Sequence, residues 1–264
     1  MTQNNRERLR QAQAAAAKQQ RLTRAVGVGA AVLAVLIIGV VIAVLFQNQG
    51  KSATAGSVTP PHATSDGRAI EVYPGKAKAG APVVELFFDY QCPVCKQFEG
   101  LYGGLMNTLA SSGEIDLRYR TMTFLDQNLS NDASVRAGIA ATCADVAGSY
   151  GAFHNEIFAN QPAQEGAGYE DTLLRDTIPA TVGISGDALT SFQACYDKQS
   201  TKAFVNTSNE LGTQDLLAIS KSVGTPTIHA NGKAVSLSDV GAVQPTDPDA
   251  AAKLLQVFQK AAGA

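Results

Sequence analysis

From Ala25 to Phe46 the chain runs AVGVGAAVLAVLIIGVVIAVLF, 22 residues without a charge or a strongly polar group. As a helix rising about 1.5 Å per residue it spans roughly 33 Å, the thickness of a bilayer core. A buried core helix is rarely apolar on every face, and the apolar core of a cleaved signal is typically about 7–15 residues long. The expectation is therefore a single-pass transmembrane helix over residues 25–46, with cleavage near Ala53-Thr54-Ala55 as the alternative. The first 24 residues hold six Lys/Arg against Glu7 alone, and the rest of the chain carries a net charge of −7. A basic flank marks the cytoplasmic side, so residues 1–24 form a cytoplasmic segment and the bulk of the chain lies outside the cytoplasm, anchored in the cell membrane. An acidic body disfavours a nucleic-acid binder.

That orientation changes the reading of the four cysteines among the 264 residues. They are too few for a disulfide-dense scaffold, but the compartment is oxidising and permits disulfides. A hydrophobic fraction of 45% excludes a wholly disordered chain.

Residues 47–68, rich in Ser, Thr, Ala, Gly and Pro, read as a flexible linker between membrane and domain. After a short alternating stretch at Ala69–Tyr73, Pro82–Asp89 (PVVELFFD) has the β-branched and aromatic make-up of a buried strand. Pro93 suits a first helical turn, and Val94, Phe98, Leu101, Leu105 and Leu109 recur at helical spacing up to Ser111-Ser112-Gly113. Ile115–Phe124 alternates as a strand. Asn131-Asp132 offers an N-cap for a helical block that runs, with breaks near Pro162 and Gly183, to about Leu217. Pro226–Ala230 and Lys233–Val235 flank Asn231-Gly232, a dipeptide suited to a tight hairpin because both positions tolerate positive φ. A C-terminal helix begins at Asp247-Pro248-Asp249, with Leu254, Leu255, Val257 and Phe258 on its inner face. The fold class is α/β, in the order β, α, β, helical block, β, β, α.

Cys92-Pro93-Val94-Cys95 sits where the buried strand gives way to a helix. A thiol that caps a helix N-terminus meets unpaired N–H groups and the positive end of the dipole, which favour thiolate over thiol. Cys92 is thus the candidate nucleophile, and Cys95, one turn on and deeper, the candidate resolving thiol. Half a zinc site is the competing reading. It needs two more ligands, and the sequence offers neither a second CxxC nor a closely spaced pair among His62, His154 and His229, so no metal is expected. A purely structural CxxC disulfide would constrain little of the unfolded chain. Cys143 and Cys195, both within the helical block, most simply form a structural disulfide in an exported protein, with two buried free thiols as the alternative. Pro226 opens a strand although proline cannot donate to a ladder, which either a cis Thr225–Pro226 bond or an edge position would explain. His154 and His229 read as packing residues, and Asp89 and Tyr90 lie near the nucleophile without a role.

FFDYQCPVCKQFE at Phe87–Glu99 and VGTPTIHANGK at Val223–Lys233 together resemble the DsbA-like branch of the thioredoxin superfamily, over roughly residues 69–262. The resemblance implies a thioredoxin fold in residues 69–264 with an inserted helical subdomain at about 131–217, and a redox-active Cys92–Cys95 pair. It also implies a cis proline at Pro226 against that pair, with Thr225 pairing to substrate peptide, and no cofactor. The implied activity is a membrane-tethered, extracytoplasmic thiol:disulfide oxidoreductase whose substrates are reduced exported proteins, reoxidised by a membrane quinone-coupled oxidase of the DsbB or VKOR kind. Two departures stand out: Val94 replaces a histidine common in strongly oxidising members, which implies a less depressed Cys92, and Leu86 stands where many relatives bury an acid. A reductase or isomerase of the same fold, or a non-catalytic peptide-binding or chaperone-like module, is the alternative function.

Overall fold

The computed structural model describes residues 57–263. The basic segment expected over residues 1–24, the transmembrane helix expected over 25–46 and the expected linker up to residue 56 lie outside the described residues. Among the described residues no helix is long and apolar enough to cross a membrane.

The described chain builds around one mixed sheet. Ile70–Glu71 is β1 and Val83–Asp89 is β2. The helix that follows, α1 (Pro93–Phe98), passes through a π-helical turn at Glu99–Gly103 into α2 (Gly104–Ser111). Asp116–Met122 is β3, and α3 (Phe124–Leu129), α4 (Ala133–Val146), α5 (Tyr150–Ala159), α6 (Ile178–Thr181), α7 (Gly186–Asp197) and α8 (Lys202–Asp215) make the helical block. The chain returns with β4 (Thr227–Ala230) and β5 (Lys233–Val235), then α9 (Leu237–Gly241) and α10 (Ala250–Ala262). Among the described residues the sheet order is β1-β3-β2-β4-β5, parallel only between β2 and β3. Parallel neighbours need a crossover, and α1–α2 supply it.

β2 is flanked by strands on both sides, and its last four residues, Leu86 to Asp89, are buried on both faces. Such a strand reads as a continuous apolar run rather than an alternating one. At the hairpin, Asn231 (φ 47°) and Gly232 (φ 72°) both take left-handed backbone. In α10, Leu254 and Phe258 are buried and Leu255 and Val257 pack partly.

Three expected boundaries move. β3 ends at Met122, because the Thr123 N–H is taken by Asn209 Oδ1 of α8 at 2.8 Å, and Phe124 opens a helix instead of closing the strand. The helical block therefore starts ahead of residue 131, and a π-helical turn at Leu216–Ser220 carries it past 217. Asp132 occupies the N-cap of α4 without a capping bond from its side chain; Asp126 caps instead, its Oδ1 and Oδ2 accepting the N–H groups of Ser134 and Val135 at 2.7 and 2.9 Å.

The described end of the expected linker is also tied to the domain. Val58 N–H donates to Ser200 O at 2.8 Å, His62 N–H donates to Asp145 Oδ2 at 3.0 Å, and His62 Nδ1 lies 2.7 Å from Asp145 Oδ1. Asp145 is fully buried in the last turn of α4, where the helix dipole disfavours an anion, and His62 provides the donors it needs. Polar, proline-rich composition reads as a tether, whereas this attachment depends on a partner 83 residues away.

Candidate active site

Cys92 occupies the N-cap of α1 with extended backbone (φ −76°, ψ 116°), and Pro93 starts the helix, where its missing N–H is no loss. The Cys92 Sγ accepts the Cys95 N–H at 3.3 Å, so the sulfur does what a capping oxygen does elsewhere. Both thiols are free, Cys92 6% and Cys95 1% exposed. A hydrogen bond from the Cys95 thiol lowers Cys92 to about 6 against the opposing effect of burial, and the Thr225 hydroxyl and the N–H groups of Cys95 and Val94 add to it. Burial pushes Cys95 well above the ordinary thiol range, and the Cys92 sulfur beside it pushes the same way. The pair is thus one ready nucleophile and one thiol that keeps its proton.

The Thr225–Pro226 bond is cis. The Cys92 thiol donates to Thr225 O at 3.4 Å, which brings the start of β4 onto the nucleophile from a segment 133 residues away. Val94 (54% exposed) and Val223 (37% exposed) are apolar residues open to solvent, one on each of the two segments that meet at Cys92. Leu86 is buried in the main core, and Glu85, on the other face of β2, bonds the buried Arg120 at 2.7 Å. Position 86 therefore brings no carboxyl beneath the cysteines.

The turn that presents Cys92 is held by residues that sequence reasoning left without a role or missed. Asp89 O accepts the Cys92 N–H at 3.0 Å, and Asp89 Oδ1 accepts the Gln91 N–H at 2.9 Å and the Ser134 hydroxyl at 2.6 Å. Burial pushes the Asp89 carboxyl up to about 7. Gln91 Nε2 donates to Asp126 Oδ1 at 2.8 Å and Asn131 Oδ1 at 2.9 Å, tying the turn to the cap of α4. From the segment after α5, Gln161 Nε2 donates to Tyr90 O at 2.8 Å and Cys92 O at 3.0 Å, and the Tyr169 hydroxyl donates to Tyr90 O at 2.5 Å. Asp89 and Gln91, polar residues on either side of Tyr90 at the end of an apolar run, were the one sequence signal of this network; Gln161 and Tyr169 had none.

Cys143 and Cys195 are bonded, S–S 2.02 Å, joining α4 to α7. His154 is buried in α5 with its Nδ1 3.0 Å from the Tyr90 hydroxyl, and His229 in β4 lies 2.9 Å from Ser220 Oγ. Burial lowers His229 below the ordinary histidine range. Among the described residues no group of three or more His, Cys, Asp or Glu is placed to hold a metal ion.

A family model described as thioredoxin matches residues 70–254. Among solved structures, the MdbA thiol-disulfide oxidoreductase of Actinomyces oris is similar with a TM-score of 0.59 at 24% identity, over 78% of this chain and 94% of that one. MdbA of Corynebacterium diphtheriae gives 0.57 at 19%, over 77% and 96%, and reduced DsbA of Mycobacterium tuberculosis 0.53 at 22%, over 72% and 99%. At these identities the likeness to solved structures is one of fold. No curated protein matches the sequence.

Proposed function

The chain belongs to the thioredoxin family, and from that premise we propose that it is a membrane-tethered, extracytoplasmic thiol:disulfide oxidoreductase that forms disulfides in exported proteins. The observation that carries the reading is the asymmetry of the pair: Cys92 capping a helix with its thiol lowered to about 6, beside a Cys95 that burial keeps protonated. In the oxidised form a substrate thiolate attacks the sulfur of Cys92, the less buried of the two cysteines, and a mixed disulfide forms while the Cys95 sulfur leaves. The second substrate thiolate then attacks that bond and expels Cys92 as a thiolate, which the N–H groups at the head of α1 stabilise. The Thr225 carbonyl, 3.4 Å from Cys92 Sγ, is the main-chain group nearest an incoming extended peptide.

The tether and the compartment are supported by the 22 apolar residues at Ala25–Phe46 and the six basic residues before them. The structures similar in fold are named as thiol-disulfide oxidoreductases and DsbA, which favours catalysis over peptide binding alone. Reoxidation falls to a membrane quinone-coupled thiol oxidase. The test is Cys95→Ser expressed in the full chain. It should accumulate mixed disulfides through Cys92 that a reducing gel dissolves; a variant that captures nothing would show a binding module. The reduction potential separates oxidase from reductase: a value near thioredoxin's, about −270 mV, would reverse the direction proposed.

A further inference from the structure

Thr225 reaches Cys92 on a loop whose two ends come from different elements. The loop enters from the π-helical turn Leu216–Ser220 that continues α8, and it leaves into β4, whose pairing with β2 begins at Thr227. Between them the chain turns sharply, with Lys221, a non-glycine residue, in left-handed backbone (φ 63°). Across the base of the loop, Ser220 Oγ lies 2.9 Å from His229 Nε2, so one side-chain bond closes residues 221–228. His229 is fully buried and held in place. Its ring packs on Phe87 of β2 with centroids 4.7 Å apart, and the Arg120 guanidinium of β3 lies over the Phe87 ring at 4.7 Å. Arg120 is fixed in turn by Glu85 at 2.7 Å and by Asp215, the last residue of α8, at 2.8 Å. The same face of the sheet therefore grips the chain on both sides of the loop.

His229 Nδ1 is buried and has no hydrogen-bond partner among the described residues. A buried N–H without an acceptor is costly, so the neutral ring keeps its proton on Nε2 and donates it to Ser220. Burial keeps the ring neutral; Glu85, Arg120 and Asp215, from β2, β3 and α8, are the charged groups that face it, and Arg120 acts in the same direction as burial. The other tie on the loop is not permanent. The Cys92 thiol donates to Thr225 O at 3.4 Å. That hydrogen is gone when Cys92 is a thiolate and when its sulfur is bonded to Cys95, and the disulfide form is the one that meets a substrate thiol. The Ser220–His229 bond, and the 2.8 Å bond from Thr227 Oγ1 to Gly224 O, involve neither cysteine and persist in every redox state.

We propose that His229 and Ser220 are positioning residues that latch the 221–228 loop in the oxidised protein, so that Thr225 stays set for an extended polypeptide and the protein favours peptide dithiols over small ones. This deepens the oxidoreductase reading and rests on it. The latch touches neither sulfur and adds no covalent step. It acts through the Thr225 main chain: a loop already ordered loses less freedom when a peptide pairs with it, whereas a small thiol makes no such pairing and gains nothing from the order.

The experiment reacts the oxidised full chain with a dithiol peptide over a range of concentrations, and separately with dithiothreitol, for wild type, Ser220→Ala, His229→Phe and His229→Gln. Ser220→Ala and His229→Phe each delete the latch bond and should lower the ratio of peptide to dithiothreitol kcat/KM by about 3- to 10-fold, through a higher peptide KM and not through kcat. His229→Gln, whose side-chain amide keeps a donor directed at Ser220, should recover most of the wild-type ratio. Ser220 is only half-buried, so its variant keeps a readout if the His229 variants do not fold. A folded Ser220→Ala protein with an unchanged ratio overturns the latch alone, and so does an equal loss with both substrates, the mark of general destabilisation. A wild-type protein that oxidises neither substrate overturns the reading on which the latch rests.

Discussion

At Cys92 the neighbouring Cys95 thiol, with the Thr225 hydroxyl and the N–H groups at the head of α1, favours the thiolate form and lowers the thiol to about 6. Because this folded-state value lies below that of an unfolded thiol, about 8.5, its stabilising contribution is full above the unfolded value and is lost as pH falls through about 6. The reduced protein should therefore gain stability over the oxidised one as pH rises from about 6 to 9. Denaturant unfolding of both forms at three pH values checks this, and parallel curves would remove the thiolate stabilisation. Asp89 runs the other way. Its carboxyl is raised to about 7, so its contribution is full below the unfolded value of about 3.9 and is lost as pH rises through about 7. Asp89→Asn, which retains an acceptor for the Gln91 N–H and the Ser134 hydroxyl, should flatten that fall between pH 4 and 7. A melting series in which mutant and wild type keep the same slope would count against it.

The cysteine motif, the strand before it and the proline loop were legible as local patterns, because a CxxC at a strand-to-helix junction and a proline opening a strand are set by neighbours in sequence. Helix capping at α4 was not. Asn131-Asp132 has the composition of a cap, yet Asp126 does the capping, since the short helix α3 turns its carboxylate back onto the Ser134 and Val135 N–H groups. Asp126 also accepts from Gln91 Nε2, so it couples the cap to the active-site turn. Asp126→Ala should cost about 1–2 kcal/mol of stability and raise hydrogen exchange at the start of α4, whereas Asp132→Ala should leave α4 as it is. The Cys143–Cys195 bond closes a loop between residues 52 apart. In the chain-entropy view, replacing both cysteines by alanine should lower stability by on the order of 4 kcal/mol in chemical unfolding. The Cys92 thiolate titration should stay in place, and its loss in a folded variant would mean that the bridge shapes the site.

For the whole molecule, the prediction concerns attachment. The full chain should fractionate with membranes and resist extraction at high salt, and removal of residues 25–46 should release a protein whose Cys92 still titrates near 6. Salt-extractable full chain would refute the anchor. The domain side of that attachment is tied at His62 and Asp145, 83 residues apart. Composition marked residues 47–68 as linker because polar, proline-rich sequence buries little, but one buried carboxylate in α4 needs donors, and His62 supplies them.

The sequence by itself determined the order of elements, the place of the Cys92–Cys95 pair at a strand-to-helix junction and the expectation of an anchor, since apolar periodicity, turn residues and a 22-residue apolar run act over short stretches of chain. Only the tertiary structure decided which groups surround the two sulfurs. Thr225, 133 residues from Cys92, reaches the nucleophile because β4 pairs with β2, and Gln161 and Tyr169 hold the turn because the helical block folds back on it. Glu99 is a buried carboxyl because the π-helical turn, the missing side chain at Gly103 and His154 from α5 converge on it, and no rule of local spacing couples α5 to that turn.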